Sequence, residues 1–185
     1  NDPAEEGRAI RPTIPELAKE CGKAVGTISS VQWSHATPAT FSNAHNISRN
    51  NYLEIANSML NGKVMDVIMG AGHPDYNDNG QIRSNKDYKY VGGLSTWVEL
   101  KNGTHAGGWQ AIETKADFEA LANKTSPLLN NPANMRVVGT AQVATTLQQS
   151  RSGFAPTDKV DEDPFNTNVP TLLTMTQGAV NALAA

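Results

Sequence analysis

A histidine, a threonine and an arginine have the residue types and the proximity in sequence to form one anion-binding site. The run His-Ala-Thr-Pro-Ala begins at His35 and is followed by Arg49. The hydroxyl oxygen of Thr37 is a hard ligand of the kind that magnesium accepts. The imidazole of His35 suits proton exchange near neutral pH or the anchoring of a metal-bound water, and the planar guanidinium of Arg49 matches two oxygens of a phosphate. These residue types predict a phosphate-binding site that also holds a divalent cation.

Each of these residues also has a purely structural interpretation. Thr37 directly precedes Pro38, which is the pattern of a helix N-cap followed by the first helical residue. His35 fits a hydrogen-bonded histidine near a strand end, and Arg49 fits a solvated charge at a helix end. One straight helix over 38–48 would separate Thr37 from Arg49 by about 18 Å, because a helix rises about 1.5 Å per residue. A shared site therefore requires a short helix after which the chain curls back, or a ligand that lies between the two residues.

The elements that must position such a site alternate in the first half of the chain. Helical spacing and a glycine stop predict a helix over 11–22, and β-branched residues predict a strand over 23–33. A helix then begins at Thr37, an amphipathic helix covers 52–60, and the apolar run 64–69 is typical of a buried parallel strand. This alternation predicts an α/β fold with a central, mainly parallel sheet flanked by helices. In such folds ligands collect at the carboxyl ends of the strands.

The second half of the chain is less regular. Residues 80–134 are predicted to form a loop-rich insertion over the sheet edge, because structureless loops of this length are uncommon, and they contain one clear helix at 115–122. A strand over 135–140, a polar loop over 151–168 and a helix over 170–183 return the chain to the core. The predicted divisions are a core segment of strands and helices at 1–79, the insertion at 80–134, and the return to the core at 135–185.

Composition excludes several classes of protein. The 185 residues include 15 basic and 18 acidic side chains, a net charge of −3, and no basic stripe, which argues against a nucleic-acid-binding surface. No apolar run approaches the roughly 20 residues of a membrane-spanning helix. Cys21 is the single cysteine, so no internal disulfide is possible. Its position predicts that it packs in the first helix as a small apolar residue.

A second oxygen-rich segment opens like a calcium-binding loop. Asp75, Asn77 and Asn79 place oxygen atoms at the first, third and fifth positions, and Gly80 follows at the sixth. The twelfth position, which should be glutamate, is Lys86. A turn rich in asparagine and glycine is therefore the favoured interpretation.

Three sequence blocks together resemble the alkaline phosphatase family. The first combines Gly-Lys-Ala-Val-Gly at 22–26 with the run that begins at His35, the second is Asp-Val-Ile-Met-Gly-Ala-Gly-His-Pro at 66–74, and the third is the helical segment 169–176. Their order and rough spacing agree across nearly the whole chain, with 80–134 the least similar part. The resemblance implies that the predicted sheet and helices are part of an alkaline-phosphatase-like sandwich.

The resemblance also implies an activity and roles for individual residues. The activity is hydrolysis of phosphate monoesters through a phosphoserine intermediate, with two zinc ions and one magnesium ion. Thr37 would be a magnesium ligand, His35 would act on magnesium through a bound water, and Arg49 would grip two oxygens of the substrate phosphate. One departure concerns the segment that ends in His-Asn-Ile-Ser-Arg at 45–49, which is one residue longer than the family's usual run from His or Asp to this arginine.

Partners and location follow from the same resemblance. Small phosphomonoesters and inorganic phosphate would be the ligands, and a homodimer is a possible assembly because family members often form one. Members of the family usually act in the periplasm or after secretion, although nothing in the sequence excludes the cytoplasm. Gln142 stands where some members bind an extra calcium ion through a glutamate, so that site is not carried over.

Two features of the family are absent from the sequence. It contains no Asp-Ser-Ala motif, which would carry the nucleophile, and no Val-Glu-Gly segment, after which most zinc ligands would follow. The chain is therefore interpreted as the central portion of an alkaline phosphatase, which would contact the rest of the same polypeptide and be inactive alone. The alternative is a non-catalytic phosphate- or surface-binding module on the same fold. A phosphodiesterase or sulfatase is a third possibility, which the run at His35 disfavours.

Overall fold

Four strands and six α-helices make up the part of the chain that the computed structural model describes, which is residues 11–131, 135–152 and 165–185. In chain order the elements are α1 (Ile14–Glu20), β1 (Gly26–Gln32), α2 (Ala36–Thr40), α3 (Tyr52–Asn61), β2 (Val67–Ala71), α4 (Leu94–Asn102), β3 (Trp109–Ile112), α5 (Lys115–Ala122), β4 (Arg136–Thr140) and α6 (Leu172–Leu183), with short 3₁₀ helices at Lys89–Val91 and Pro127–Asn130. None of the helices in these ranges has the length and apolar character needed to cross a bilayer.

Threonine side chains set the start of three helices. The hydroxyls of Thr13, Thr114 and Thr171 each accept a hydrogen bond from a backbone amide in the first turn of α1, α5 and α6. In α1 and α5 an acidic side chain also accepts a hydrogen bond from the backbone amide of the capping threonine, which completes a capping box. Local sequence therefore stabilises the start of each of these helices.

The four strands form one parallel sheet in the order β1-β2-β4-β3. Val67 of the central strand β2 lies opposite Gly26 of β1 on one side and Val137 of β4 on the other. All residues of β2 are buried, which explains why the apolar run at 64–69 shows no alternation. The predicted α/β fold with a parallel sheet flanked by helices is confirmed.

Alternate residues of β2 point into two separate hydrophobic clusters, one on each face of the sheet. Ile68 belongs to the cluster that includes α3 and α4, whereas Val67 and Met69 belong to the cluster that includes α5 and α6. The helix residues involved are Ile55, Ala56, Met59 and Leu60 of α3 and Trp97 and Leu100 of α4 on the first face, and Phe118 and Leu121 of α5 and Met175 and Ala179 of α6 on the second. Both faces of the sheet are thus covered.

The predicted insertion at 80–134 contains a helix and a strand that the sequence did not reveal. These are α4 and β3, and β3 pairs with β4 as an edge strand of the main sheet. β3 has only four residues, with burial at its two ends alone, so neither an alternating nor a continuous apolar pattern marks it. The helix predicted at 115–122 and the strand predicted at 135–140 are confirmed. The domain boundaries themselves stay predictions, and most of the predicted polar loop, 153–164, lies outside the described residues.

The predicted packing of Cys21 is wrong. Cys21 is exposed, because α1 ends at Glu20 and Cys21 is its C-cap rather than a residue of its buried face. The apolar spacing that suggested packing therefore extends one residue past the helix.

Gly70 of β2 leaves no room for a side chain against the backbone at the end of β1. A Cβ atom added there would lie 2.6 Å from the carbonyl oxygen of Val31 and 2.9 Å from the amide nitrogen of Trp33. Since both atoms are backbone, they cannot move without disturbing the sheet. Gly70→Ala is expected to lower the free energy of unfolding by about 1–3 kcal/mol, as measured by urea denaturation.

Gly26→Ala in β1 is the matched control for this prediction. Its nearest contact, at 3.1 Å, is the terminal Cδ1 of Leu183, which has freedom to shift. Its other contacts, Cβ and the carbonyl oxygen of Val67 at 3.2 and 3.4 Å, are longer than the backbone contacts at Gly70. The loss should be clearly smaller than for Gly70→Ala, and equal losses in the two variants would contradict the account of the close approach.

Candidate functional site

The loop that follows β1 is held against the sheet by two buried side chains. The indole nitrogen of Trp33 donates a hydrogen bond to Oγ1 of Thr140, at the end of β4, at 3.1 Å. The hydroxyl of Ser34 donates to the carbonyl oxygen of Tyr90 at 2.9 Å. Both Trp33 and Ser34 are completely buried. They fix the backbone directly before His35, at the carboxyl edge of the sheet where open parallel sheets bind ligands.

The helix after this loop is short. α2 ends at Thr40, so the straight helix over 38–48 does not form. Oγ of Ser42 donates to the carbonyl oxygen of Ala39 at 2.7 Å, and Nδ2 of Asn43 donates to the carbonyl oxygen of Ser58 in α3 at 2.8 Å. Both donors are buried, and together they turn the chain back along α3.

This reversal brings Arg49 to His35. Nη2 of Arg49 lies 3.4 Å from Nε2 of His35, although a helix and a loop separate them in sequence. Thr37 lies in the first turn of α2 and is exposed. The N-cap interpretation of Thr37 is wrong, because His35 occupies the N-cap position and makes no side-chain capping bond. The structure therefore places all three residues on one loop–helix unit, while their roles as ligands stay predictions.

The charges of the pair favour an anion. Burial, together with the positive charge of Arg49, holds the pKa of His35 below its ordinary value. A neutral imidazole that accepts from Arg49 at Nε2 carries its proton on Nδ1, and Nδ1 is buried without a hydrogen-bond partner among the described residues. The guanidinium of Arg49 is exposed and, in the same part of the chain, forms no ion pair with a carboxylate. Its charge is therefore available to a ligand.

The donors present fit part of a magnesium site. Thr37 offers an exposed hydroxyl oxygen, which suits direct coordination of magnesium, and the neutral imidazole of His35 lies two residues before it at the N-cap of α2. No group of three or more His, Cys, Asp or Glu side chains in residues 11–131, 135–152 and 165–185 is arranged to hold a metal ion. The described residues thus supply neither a complete magnesium site nor a zinc ligand set.

A second polar cluster, which the sequence did not reveal, lies where β2 and β3 end. Nε2 of His73 lies 2.9 Å from Oε2 of Glu113, and Lys101 pairs with the other carboxylate oxygen. The amide of Asp75 donates to Nδ1 of His73 at 3.1 Å, so the imidazole proton lies on Nε2 and is donated to Glu113. His73 is 1% and Glu113 13% exposed. They are 40 positions apart, and the only sequence signal is that each closely follows a strand.

The segment that resembles a calcium loop uses its oxygen atoms internally. Asp75 pairs with Lys86 at 2.7 Å, and Oδ1 of Asn77 accepts from two backbone amides of the same turn at 2.9 and 3.0 Å. Oδ1 of Asp78 accepts from both the amide and the hydroxyl of Thr145 at 2.6 Å. The turn interpretation is confirmed.

Comparison with known proteins connects this geometry to one family. The family model for alkaline phosphatase matches residues 5–185. Alkaline phosphatase 3 of Bacillus subtilis (strain 168) is 40% identical over 129 residues, which cover 62% of this chain and 28% of that protein. Alkaline phosphatase 4 of the same organism is 34% identical over 91 residues, which cover 46% of this chain and 19% of that protein.

A solved structure supports the same relationship. The cold-active alkaline phosphatase from the psychrophile Shewanella sp. superimposes with a TM-score of 0.57 and 26% sequence identity, and the match covers 94% of this chain and 32% of that one. The chain therefore spans between 19% and 32% of the length of these relatives.

The charge of Glu113 is expected to stabilise the fold at neutral pH. Burial would raise the pKa of Glu113, but hydrogen bonds from His73 and Lys101 outweigh it and hold the pKa below its ordinary value. A carboxylate of this kind contributes stability above its unfolded pKa and loses it as the pH falls through the folded pKa. Glu113→Gln should therefore lower the free energy of unfolding by about 1–3 kcal/mol at neutral pH. The deficit should shrink as the pH falls below the ordinary carboxyl pKa of 4.5, in urea denaturation at a series of pH values.

Glu119→Gln is the matched control, since this carboxylate is exposed and lies 3.7 Å from Lys115. Exposed pairs contribute at most about 1 kcal/mol, so this variant should stay close to the parent protein at every pH. A deficit for Glu113→Gln that does not change with pH would show that the carboxylate charge is not what stabilises the cluster.

Proposed function

Because the chain belongs to the alkaline phosphatase family, we propose that the protein it represents hydrolyses phosphate monoesters through a phosphoserine intermediate. The observation that carries the proposal is the return of Arg49 to His35 at the carboxyl edge of the sheet. Small phosphomonoesters are the proposed substrates, and inorganic phosphate is the proposed product and inhibitor. The nucleophilic serine is assigned to no residue of this chain.

Arg49 is the proposed clamp on the phosphate. Phosphoryl transfer depends mainly on positioning and on stabilising charge spread over the non-bridging oxygens. The guanidinium presents two parallel N–H donors to two such oxygens, and its contact with a neutral imidazole leaves its charge uncompensated. A lysine at this position would offer only a point charge without the fork.

Thr37 and His35 are the proposed contribution of this chain to a magnesium site. Thr37 would bind the ion through its hydroxyl oxygen, and His35 would contact it through a water. Magnesium, when bound, supplies fixed positive charge that acidifies nearby water and favours deprotonation of the nucleophile. Two zinc ions complete the proposed cofactors, with ligands mostly outside this chain. Family membership further supports a periplasmic or secreted location and a homodimer as proposals.

Arg49→Ala tests the clamp in the complete protein. Loss of a donor aimed at developing charge costs roughly 10²- to 10³-fold in kcat, so activity towards p-nitrophenyl phosphate should fall by about this factor and the inhibition constant of inorganic phosphate should rise. The melting temperature should change little, because the side chain is exposed. Lys23→Ala is the matched control, since it removes an exposed charge before the amino end of β1. An unchanged inhibition constant for phosphate in Arg49→Ala would remove Arg49 from the site.

His35→Asp tests the assignment at the magnesium site. A neutral imidazole places less negative charge near the cation than a carboxylate does, so His35→Asp in the complete protein should bind magnesium more tightly. Isothermal titration of the metal-depleted protein with magnesium measures this directly. Equal or weaker affinity in the variant would defeat the assignment of His35, whereas Thr37→Val should weaken binding if the hydroxyl is a ligand.

A further inference from the structure

Two tyrosine rings stand in a row beside the His35–Arg49 pair. Tyr52 is the first residue of α3, and its ring centroid lies 6.3 Å from that of His35. The ring of Tyr90, in the 3₁₀ helix Lys89–Val91, lies 4.8 Å from Tyr52 and meets it edge to face at 76°. The row therefore begins next to the proposed phosphate clamp and leads away from it.

The hydrophobic core does not account for these two rings. Tyr88 packs against the cluster on the α3 face, whereas Tyr52 and Tyr90 belong to neither hydrophobic cluster. Both residues are half-buried. The hydroxyl of Tyr52 has no hydrogen-bond partner among the described residues.

Three separate elements fix the position of Tyr90. The hydroxyl of Ser34 binds its carbonyl oxygen at 2.9 Å. Asn57 of α3 donates to the carbonyl oxygen of Gly92 at 2.9 Å, which ties the 3₁₀ segment to the helix that carries Tyr52. A Cβ atom at Gly72 would lie 3.1 Å from Cβ of Tyr90, so the loop after β2 also contacts it. Because these contacts already hold the segment that carries Tyr90, little conformational entropy is lost when a ligand binds against it.

We propose that Tyr52 and Tyr90 form an aromatic subsite for the organic group of the substrate, so that the protein prefers phosphate monoesters of planar aromatic groups over aliphatic ones. This inference rests on the proposed phosphatase function, because it takes Arg49 to hold the phosphate. With the phosphate on Arg49, an ester group directed along the row meets the ring of Tyr52 first. The ring of Tyr90 lies next in the row and also has the ammonium of Lys89 over it, 4.7 Å from its centroid. Stacking on aromatic faces is favourable for any planar ring.

The test compares three substrates in the complete protein: phenyl phosphate, adenosine 5′-monophosphate and glycerol 2-phosphate. Tyr52→Leu keeps apolar bulk and removes the aromatic face, so kcat/KM for the aromatic substrates should fall by about 3- to 10-fold. The value for glycerol 2-phosphate should stay within about twofold of the parent value. Tyr52→Phe keeps the ring and should preserve the preference. Tyr76→Leu is the matched control, because that ring packs on His73 rather than on His35.

The two aromatic substrates show how far from the phosphate the ring that binds the subsite is attached. A loss confined to phenyl phosphate supports a subsite for a ring attached directly to the ester oxygen, and a loss confined to adenosine monophosphate supports one for a base placed a ribose away. Equal losses for all three substrates, or no loss, would overturn the subsite while leaving the phosphatase function intact. Absence of turnover of all three by the parent protein would instead overturn the proposed function.

A measurement without any variant covers the case in which Tyr52→Leu does not fold. Phenylphosphonate and methylphosphonate share the anionic head and differ in the group it carries. The subsite predicts that phenylphosphonate inhibits the parent protein about 3- to 10-fold more strongly than methylphosphonate does. Equal inhibition constants would overturn the proposal.

Discussion

The contact between Arg49 and His35 depends on how the chain reverses between α2 and α3, and the rest of the site depends on that contact. Buried Ser42 and Asn43 bind carbonyl oxygens of α2 and α3 respectively, so the reversal is attached to α3 rather than free on the surface. α3 in turn packs through Ile55, Met59 and neighbouring residues onto the sheet. The core therefore positions the guanidinium of Arg49 through a short series of hydrogen bonds. These bonds limit how far the guanidinium can move from the imidazole of His35.

The carboxyl edge of the sheet divides into a part whose charges are balanced and a part with an uncompensated positive charge. At the ends of β2 and β3, the charges of Glu113 and Lys101 satisfy one another around a buried histidine, so that part is closed to an external ion. At the end of β1, the guanidinium of Arg49 faces only a neutral ring. Since an unsatisfied charge attracts a ligand and a satisfied one does not, the anion is expected at the β1 end. The aromatic row of Tyr52 and Tyr90 lies beside the same end.

The sequence predicted the elements whose signals are local and missed those whose signals are not. The apolar run at 64–69 and the helix at 115–122 are marked by local sequence patterns that do not depend on where the element lies in the fold. β3 is too short to show a hydrophobic periodicity, and only its pairing with β4 identifies it as a strand. The end of α2 has no glycine or proline to mark it, so the sequence alone does not show that the chain reverses there and brings Arg49 to His35. His73 and Glu113 meet because parallel strands end at one edge, which requires the strand order β1-β2-β4-β3 rather than any spacing in sequence.

The supports of the proposed phosphate clamp are separate from the groups proposed for catalysis. The loop that carries His35 is anchored by Trp33 and Ser34 to β4 and to the 3₁₀ segment. Arg49 follows the reversal that Ser42 and Asn43 attach to α2 and α3. The groups that chemistry would add, a nucleophile and a complete set of metal ligands, are not needed to hold the guanidinium in place. Under this proposal, a protein that kept these supports and lost the nucleophile would still present the guanidinium to an anion. Under the proposed function, affinity for phosphate therefore depends on Arg49 and its supports, whereas turnover depends on groups outside the described residues.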